Sequence, residues 1–110
     1  MIRMKIRMDF ARIAKDKAFS TMKSYEYVVK TLQSFGFVYD PSDDGVYVYD
    51  GPRDIAYILP HLNTAFERWP GLIDYMESWY GEYDGIYADF LASYRRAQIP
   101  VKLLPDMVGA

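Results

Sequence analysis

The first ten residues alternate between apolar and charged side chains. The apolar positions are Ile2, Met4, Ile6, Met8 and Phe10. The charged positions between them are Arg3, Lys5, Arg7 and Asp9. Because the side chains of a β-strand point alternately to its two faces, this period of two predicts a strand with one buried and one charged face.

A helix is predicted in the next part of the chain. Residues 11–23 mix alanine with basic side chains without a clear period, which indicates a loop or a short helical turn. Ser24 is suited to cap the helix that follows, and Gly36 to stop it. The apolar stripe has the spacing i, i+3, i+4 and i+7 and consists of Tyr25, Val28, Val29 and Leu32, with Phe35 extending it.

Two short runs of β-branched and aromatic residues, 37–40 and 46–49, are separated by five residues that include Pro, Asp and Gly. Tight turns use these residue types, so the segment predicts a β-hairpin. A second helix is predicted from Pro52 to about Trp69. Pro60 lies inside it and lacks a hydrogen-bond donor, so we expect a kink there or two consecutive helices.

The last third of the chain is less regular. Residues 72–83 fit a helix and a strand equally well, because periodicity does not separate the two over so short a run. A turn is predicted at Asp84-Gly85 and a last helix over 86–96. We interpret Gly81 and Gly85 as isolated turn glycines and not as a phosphate-binding loop.

The order of these elements predicts an α+β fold. Strand, helix, strand, strand, helix and a segment that suits a strand form the ferredoxin-like split βαβ pattern (βαββαβ), here with a C-terminal helix and tail. Such a sheet carries helices on one face, so we expect the charged face of the first strand to lie on the open side. We assign residues 1–97 to this domain and 98–110 to a C-terminal extension whose apolar residues suit docking.

Composition narrows the class of protein. The chain has 110 residues, of which 51% are hydrophobic, and no cysteine. This is the size and make-up of one globular domain, and the lack of thiols excludes disulfides, Cys-ligated metals and thiol catalysis. We find no signal peptide and no apolar run long enough to span a membrane, and we expect a cytoplasmic protein that does not bind membranes.

The net charge of −2 conceals a strong asymmetry. Residues 1–30 carry eight Lys or Arg against three acids, whereas residues 31–94 carry two Arg against eleven acids. A basic segment of this kind can form a local anion-binding surface on an acidic protein. The alternative is that both segments are simply solvated surface.

Four sequence features follow one another along residues 4–97. They are Asp9 after a hydrophobic first strand, a helix ending at Phe35-Gly36-Phe37, a strand beginning Gly45-Val46-Tyr47, and an amphipathic helix that closes at Trp69. In this order they resemble the virulence-associated protein D (VapD) family. The resemblance implies a ferredoxin-like fold related to the small subunit of CRISPR adaptation, a homodimer, toxin-type endoribonuclease activity and a protein antitoxin. It also implies a catalytic role for Asp9.

Asp9 has two chemical interpretations under this resemblance. In a symmetric dimer, two copies of Asp9 can hold one divalent metal such as Mg²⁺, whose bound water attacks an RNA phosphate. Alternatively, Asp9 is a general base for the ribose 2′-hydroxyl if burial raises its pKa. The structural alternative is that Asp9 pairs with Arg7 or Arg12, or caps the next turn.

The basic side chains of the first segment are the candidate RNA contacts. They are Arg3, Lys5, Arg7, Lys15 and Lys17, which would attract the phosphate backbone. Tyr47 and Tyr49 share a face of their strand, where aromatic rings either stack on bases or belong to the core or a dimer interface. We expect a second copy to cover part of that face and of the charged face.

Other candidate sites have weaker support. His61 is the only histidine and has no partner motif, so we interpret it as a surface or structural residue. The acidic cluster Asp40, Asp43 and Asp44 lacks the pattern of a calcium loop and is most simply a solvated turn.

The sequence therefore predicts an endoribonuclease that cleaves single-stranded RNA at a dimeric site around Asp9. The rival class is a non-catalytic acidic binding protein, such as a small inhibitor of a nucleic-acid enzyme, whose residues 40–89 dock on a basic partner. The placement of Asp9 separates the two, since an enzyme needs it in a cleft with basic residues nearby.

Overall fold

A computed structural model describes residues 1–97, which form five β-strands and four α-helices. The strands are β1 (Ile2–Met8), β2 (Val38–Tyr39), β3 (Val46–Tyr49), β4 (Met76–Tyr83) and β5 (Ile86–Asp89). The helices are α1 (Phe10–Asp16), α2 (Thr21–Ser34), α3 (Ile55–Glu67) and α4 (Phe90–Ala97), and a 3₁₀ turn (Ile73–Tyr75) precedes β4. The predicted extension, residues 98–110, lies outside the described residues.

The five strands form one sheet in the order β2-β3-β1-β4-β5, with every neighbouring pair antiparallel. The first four strands have the arrangement of the ferredoxin-like fold, in which β1 and β2 are separated by β3. The predicted fold class is therefore confirmed. The fifth strand extends the sheet beside β4.

The buried face of the sheet carries the aromatic residues of β3. Ile2 lies opposite Tyr49 and Met4 opposite Tyr47, and antiparallel partners share one face of the sheet. Tyr47 and Tyr49 are 8% and 6% exposed and belong to the hydrophobic core with Trp79. The expectation that a second copy covers the Tyr47 and Tyr49 face is wrong, because this face already packs against the core.

The opposite face of β1 is open, as predicted. Arg3 and Lys5 are directed away from the core, and Arg7 is exposed. Their partners on β4 are Glu82, Tyr80 and Ser78, in that order. The basic stripe of β1 thus runs along the centre of the open face.

The beginning of the first long helix differs from the prediction. The N-cap is Ser20, whose hydroxyl oxygen accepts a hydrogen bond from the Lys23 N–H at 3.1 Å. Ser24 lies inside α2, is fully buried and donates its hydroxyl hydrogen to the Thr21 carbonyl at 2.8 Å. The apolar stripe does not predict the first turn of α2, because the exposed residues of that turn, such as Met22, do not belong to the stripe.

The second long helix is continuous through its proline. It begins at Ile55 after an Asp54 cap, not at Pro52, and it runs as one element through Pro60 to Glu67. The alternative of two consecutive helices is therefore wrong. The ring of Pro60 is exposed, so it occupies space on the solvent side of α3 without disturbing the packed side.

The predicted last helix is shorter than expected, because a strand precedes it. Asp84 and Gly85 have positive φ values of 50° and 75°. Two successive residues of this kind form the tight turn whose twist matches an antiparallel hairpin. They connect β4 to β5, which leaves only residues 90–97 for α4. The ambiguous residues 72–83 form the 3₁₀ turn and β4.

Gly81 is a strand residue and not a turn glycine. It lies in β4 beneath the ring of Phe90, where a Cβ atom would stand 2.1 Å from a ring carbon and 3.1 Å from the Arg3 carbonyl oxygen. The glycine therefore allows α4 to pack directly on the backbone of the sheet. Gly85 does lie in a turn and has open space around it.

We predict that Gly81→Ala lowers the free energy of unfolding by about 2 kcal/mol, since the added methyl group forces the buried Phe90 ring to move. Gly85→Ala is the matched control: its added methyl meets no atom, and only its left-handed backbone opposes the change, at a cost of about 1 kcal/mol. Chemical denaturation followed by circular dichroism measures both. Equal losses in the two variants would contradict the proposed packing of α4.

Candidate active-site groove

A groove of ≈860 Å³ lies beside the second half of β1. On one side of β1, pairing with β3 ends at Lys5 opposite Val46, whereas β1 itself continues to Met8. On the other side, pairing with β4 continues to Met8. The groove is thus formed where one neighbouring strand stops before the other.

The groove has an apolar wall and a charged floor. Phe10, Met22 and Tyr25 form the wall and are 44%, 78% and 45% exposed. The rings of Phe10 and Tyr25 meet edge to face, with centroids 6.0 Å apart. The floor and rim carry the charged side chains Lys5, Arg7, Asp9, Asp44 and Glu77. This combination suits a ligand that has both flat apolar and charged parts.

Asp9 lies at the junction of β1 and α1 and lines the groove. Its backbone N–H donates to the Tyr75 carbonyl at 2.8 Å, which fixes the main chain. Its Oδ1 accepts a hydrogen bond from the Arg12 N–H at 3.1 Å, which makes Asp9 the N-cap of α1. The alternative prediction that Asp9 caps the next turn is therefore confirmed. The cap uses Oδ1, and no donor among residues 1–97 is bonded to Oδ2.

Arg12 contacts Asp9 through its backbone only. Its guanidinium lies 4.6 Å from the centre of the Tyr75 ring and donates to the Asp74 carbonyl at 3.3 Å. Within residues 1–97, the carboxylate of Asp9 forms no ion pair with Arg12 or Arg7. Its charge is therefore free to act on a ligand in the groove.

The structure divides the five predicted RNA-binding residues into three groups. Lys5 and Arg7 line the same groove as Asp9. Arg7 has only a long, exposed contact of 3.9 Å with Glu77, which contributes little. Lys15 and Lys17 lie on the far end of α1, exposed but outside the groove.

Arg3 belongs to a neighbouring site. It lines a smaller groove of ≈270 Å³ on the open face and forms ion pairs with Asp40 at 3.1 Å and Asp43 at 3.2 Å. Hydrogen bonds from Ser42, and then the Arg3 guanidinium, hold the pKa of Asp40 below its usual value. Asp40 and Asp43 therefore neutralise Arg3, in addition to forming the expected turn.

Carboxylates are the side chains of the groove that suit a divalent metal such as Mg²⁺. Asp9, Asp44 and Glu77 line the same groove, yet among the described residues no three His, Cys, Asp or Glu side chains are close enough to hold a metal ion. Two carboxylates from two copies of Asp9 would require a second chain.

The sequence did not identify Tyr25 as a site residue, and two further tyrosines, Tyr39 and Tyr47, lie near it outside the groove lining. Tyr25 was placed in the apolar stripe of its helix, but it is half exposed and lines the groove. Burial, and then the nearby Tyr25 hydroxyl, raise the pKa of Tyr47. The Tyr39 hydroxyl donates to Asp44 Oδ1 at 3.0 Å, and its ring contacts that of Tyr47 edge to face. The pairing of β2 with β3 places Tyr39 opposite Tyr47.

His61 lies on α3, outside the groove, and is exposed, which fits the prediction of a surface residue. Its ring stacks on Tyr57 with centroids 4.2 Å apart, and its Nδ1 lies 2.8 Å from the Tyr57 carbonyl oxygen. The guanidinium of Arg53 covers the other side of the Tyr57 ring at 4.1 Å.

Comparison with models of known protein families gives no match, and comparisons with curated proteins and with solved structures give no significant match. The resemblance to VapD proteins therefore stays a prediction from the sequence. Through residue 97, the chain contains no helix with the length and apolar character of a membrane span.

Proposed function

We propose that this protein is an endoribonuclease of toxin type that cleaves single-stranded RNA in the groove around Asp9. The observation that carries the proposal is the convergence of Asp9, Lys5 and Arg7 on one groove with an exposed aromatic wall. A cytoplasmic location, where RNA is available, belongs to the same proposal, as does a protein antitoxin.

The two kinds of surface in the groove match the two parts of a nucleotide. Lys5 and Arg7 are suited to phosphate, and unpaired bases stack on exposed aromatic rings such as Phe10 and Tyr25. Thr21, at the start of α2, also lines the groove, so the partial positive charge of that helix end adds to the attraction for phosphate. A paired base offers no free face for such stacking, which favours a single-stranded substrate.

Asp9 is proposed as the general base. Its free Oδ2 takes the proton of a ribose 2′-hydroxyl, and the 2′-oxygen then attacks the adjacent phosphorus. The bond from phosphorus to the 5′-oxygen breaks, which gives a 2′,3′-cyclic phosphate and a 5′-hydroxyl end. Lys5 and Arg7 stabilise the charge that develops on the phosphate oxygens. The Arg12 N–H fixes the carboxylate through Oδ1.

We predict that Asp9→Asn lowers the rate of RNA cleavage by at least about 10², because the amide cannot accept the proton. Asparagine caps helices about as well as aspartate, so α1 should be kept and the melting temperature should change little. Asp9→Ala is the companion variant: it loses the cap as well, at about 1 kcal/mol of stability. Cleavage of a labelled RNA and thermal unfolding measure the two effects. Near wild-type cleavage by Asp9→Asn would show that the residue is only a cap.

The charged floor gives a second prediction with an internal control. Lys5→Gln with Arg7→Gln should weaken binding of single-stranded RNA and reduce the slope of log K against log salt by about 1.4, since each phosphate contact contributes about 0.7. Lys15→Gln with Lys17→Gln removes the same charge outside the groove and should have a smaller effect. Fluorescence anisotropy with a labelled oligonucleotide measures both. Salt-insensitive binding would favour the rival class, a non-catalytic acidic binding protein.

A homodimer is part of the proposal, and the need for magnesium depends on how its two sites are arranged. If each Asp9 acts as a general base, cleavage should continue in excess chelator. If two Asp9 carboxylates share a metal, chelator should abolish cleavage, and Mg²⁺ should restore it only for a dimeric species. Cleavage assays with and without chelator, combined with light scattering against twice 12.8 kDa, distinguish these outcomes. We expect cleavage in chelator, because the proposed general base needs no metal.

A further inference from the structure

We propose that the Tyr25 hydroxyl is the general acid of this site, which donates a proton to the departing 5′-oxygen. This inference rests on the proposed ribonuclease function and adds a second catalytic residue to it. Expulsion of an alkoxide is the unfavourable half of such a cleavage, so a proton donor placed on the leaving side is needed for a fast reaction.

The position of Tyr25 relative to Asp9 is set by one intervening side chain. Phe10 follows Asp9 directly in the chain, and its ring packs edge to face against that of Tyr25 at 6.0 Å. Asp9 and Tyr25 also line the same groove, one from the start of α1 and the other from α2. The carboxylate and the phenol therefore belong to one groove, and the proposed reaction requires a phosphate to bind between them.

The other groups of the groove are less suited to this role. Thr21 carries an alcohol, which is a far weaker acid than a phenol. Lys5 and Arg7 are the cations that balance the phosphate charge, and an arginine does not release its proton in proteins. Asp44 and Glu77 are acids at the rim, but Asp44 already accepts the Tyr39 hydroxyl, and Glu77 lies beside Arg7.

A second phenol, that of Tyr47, lies beside the Tyr25 hydroxyl. The hydroxyl of the buried Tyr47 is close enough to interact with that of Tyr25, and burial raises the pKa of Tyr47. Tyr47 therefore keeps its own proton and can direct it at the Tyr25 oxygen. A hydrogen bond of this kind stabilises the phenolate that remains after proton transfer.

The complete step is balanced in atoms and charge. The 2′-hydroxyl proton moves to Asp9 as the new bond from the 2′-oxygen to phosphorus forms. The bond from phosphorus to the 5′-oxygen breaks, and the Tyr25 proton moves to that oxygen. Asp9 is then a neutral acid and Tyr25 a phenolate, and proton exchange with solvent returns both to their starting forms.

The test replaces the leaving group of the reaction with one that needs no proton. In an RNA whose scissile 5′-oxygen is replaced by sulfur, the departing thiolate needs no proton, so loss of a general acid no longer matters. We expect Tyr25→Phe to cleave ordinary RNA about 10² more slowly than wild type but the sulfur-substituted RNA at nearly the wild-type rate. Asp9→Asn should be slow on both substrates, because the base is still required.

Two controls separate this role from a structural one. Tyr39→Phe removes a hydroxyl from the same tyrosine group outside the groove lining and should cleave both substrates normally. Binding of an uncleavable 2′-deoxy oligonucleotide by Tyr25→Phe should match wild type, since the ring is kept. The Tyr25 side chain is half exposed, so loss of its hydroxyl should leave the fold intact.

The outcomes are distinct. Ordinary RNA cleaved by Tyr25→Phe at the wild-type rate overturns the inference and leaves the proposed function standing. Equal slowing on both substrates also overturns it, because Tyr25 then acts only by positioning. If the wild-type protein cleaves neither substrate, with or without Mg²⁺, the proposed function fails and the inference fails with it.

Discussion

The unequal pairing of the central strand is the constraint on which the rest of the structure depends. β1 pairs with β4 along its full length but with β3 only over residues 2–5. The first half of β1 is therefore paired with a neighbouring strand on both sides, and its residues Ile2 and Met4 belong to the core. The second half has a free side, and the turn from β1 into α1 and the first turn of α2 shape that side into a groove. The same strand thus provides the stability of the fold and an accessible site.

Charge compensation decides which of the basic residues remain available. Three cations, Arg3, Lys5 and Arg7, occupy every second position of β1 and share its open face. The acidic turn before β3 neutralises Arg3 through Asp40 and Asp43. Lys5 passes over Gly45, where an added Cβ atom would stand 3.2 Å from the lysine Cε. Arg7 meets only an exposed carboxylate at long range. Lys5 and Arg7 are therefore the cations of β1 that line the groove beside Asp9, on a protein whose total charge is negative.

Asp9 illustrates how a structural and a chemical role coexist in one side chain. Capping a helix and accepting a proton both require a carboxylate, but they use different oxygens. The cap holds Oδ1 against the Arg12 N–H, and the backbone bond to the Tyr75 carbonyl holds the main chain. Both restrict the motion of the carboxylate, which is what a base needs if it is to meet a substrate in one orientation.

The sequence by itself determined the fold class, the two faces of β1 and the hairpin of β2 and β3, because each depends on local periodicity and turn chemistry. It left β5 unpredicted, since a two-residue turn and four residues of strand do not outweigh a helical pattern that overlaps them. It left open whether Tyr47 and Tyr49 stack on bases, contact a second copy or belong to the core, and the register with Ile2 and Met4 puts them in the core. Register is a long-range property that one strand does not encode.

For the candidate site, the sequence supplied Asp9 and the basic residues but not their grouping. Lys5 and Arg7 lie near Asp9 because all three are close together in the chain and alternate along one strand, which the sequence shows directly. The acidic turn that neutralises Arg3 is about forty residues away in the chain, so the sequence does not show that contact. Tyr25 fits a helix stripe in the sequence, and only the tertiary contact of its ring with Phe10, at the start of α1, brings it into the lining of the groove. Local patterns fix which face a residue occupies, and tertiary contacts decide what it meets there.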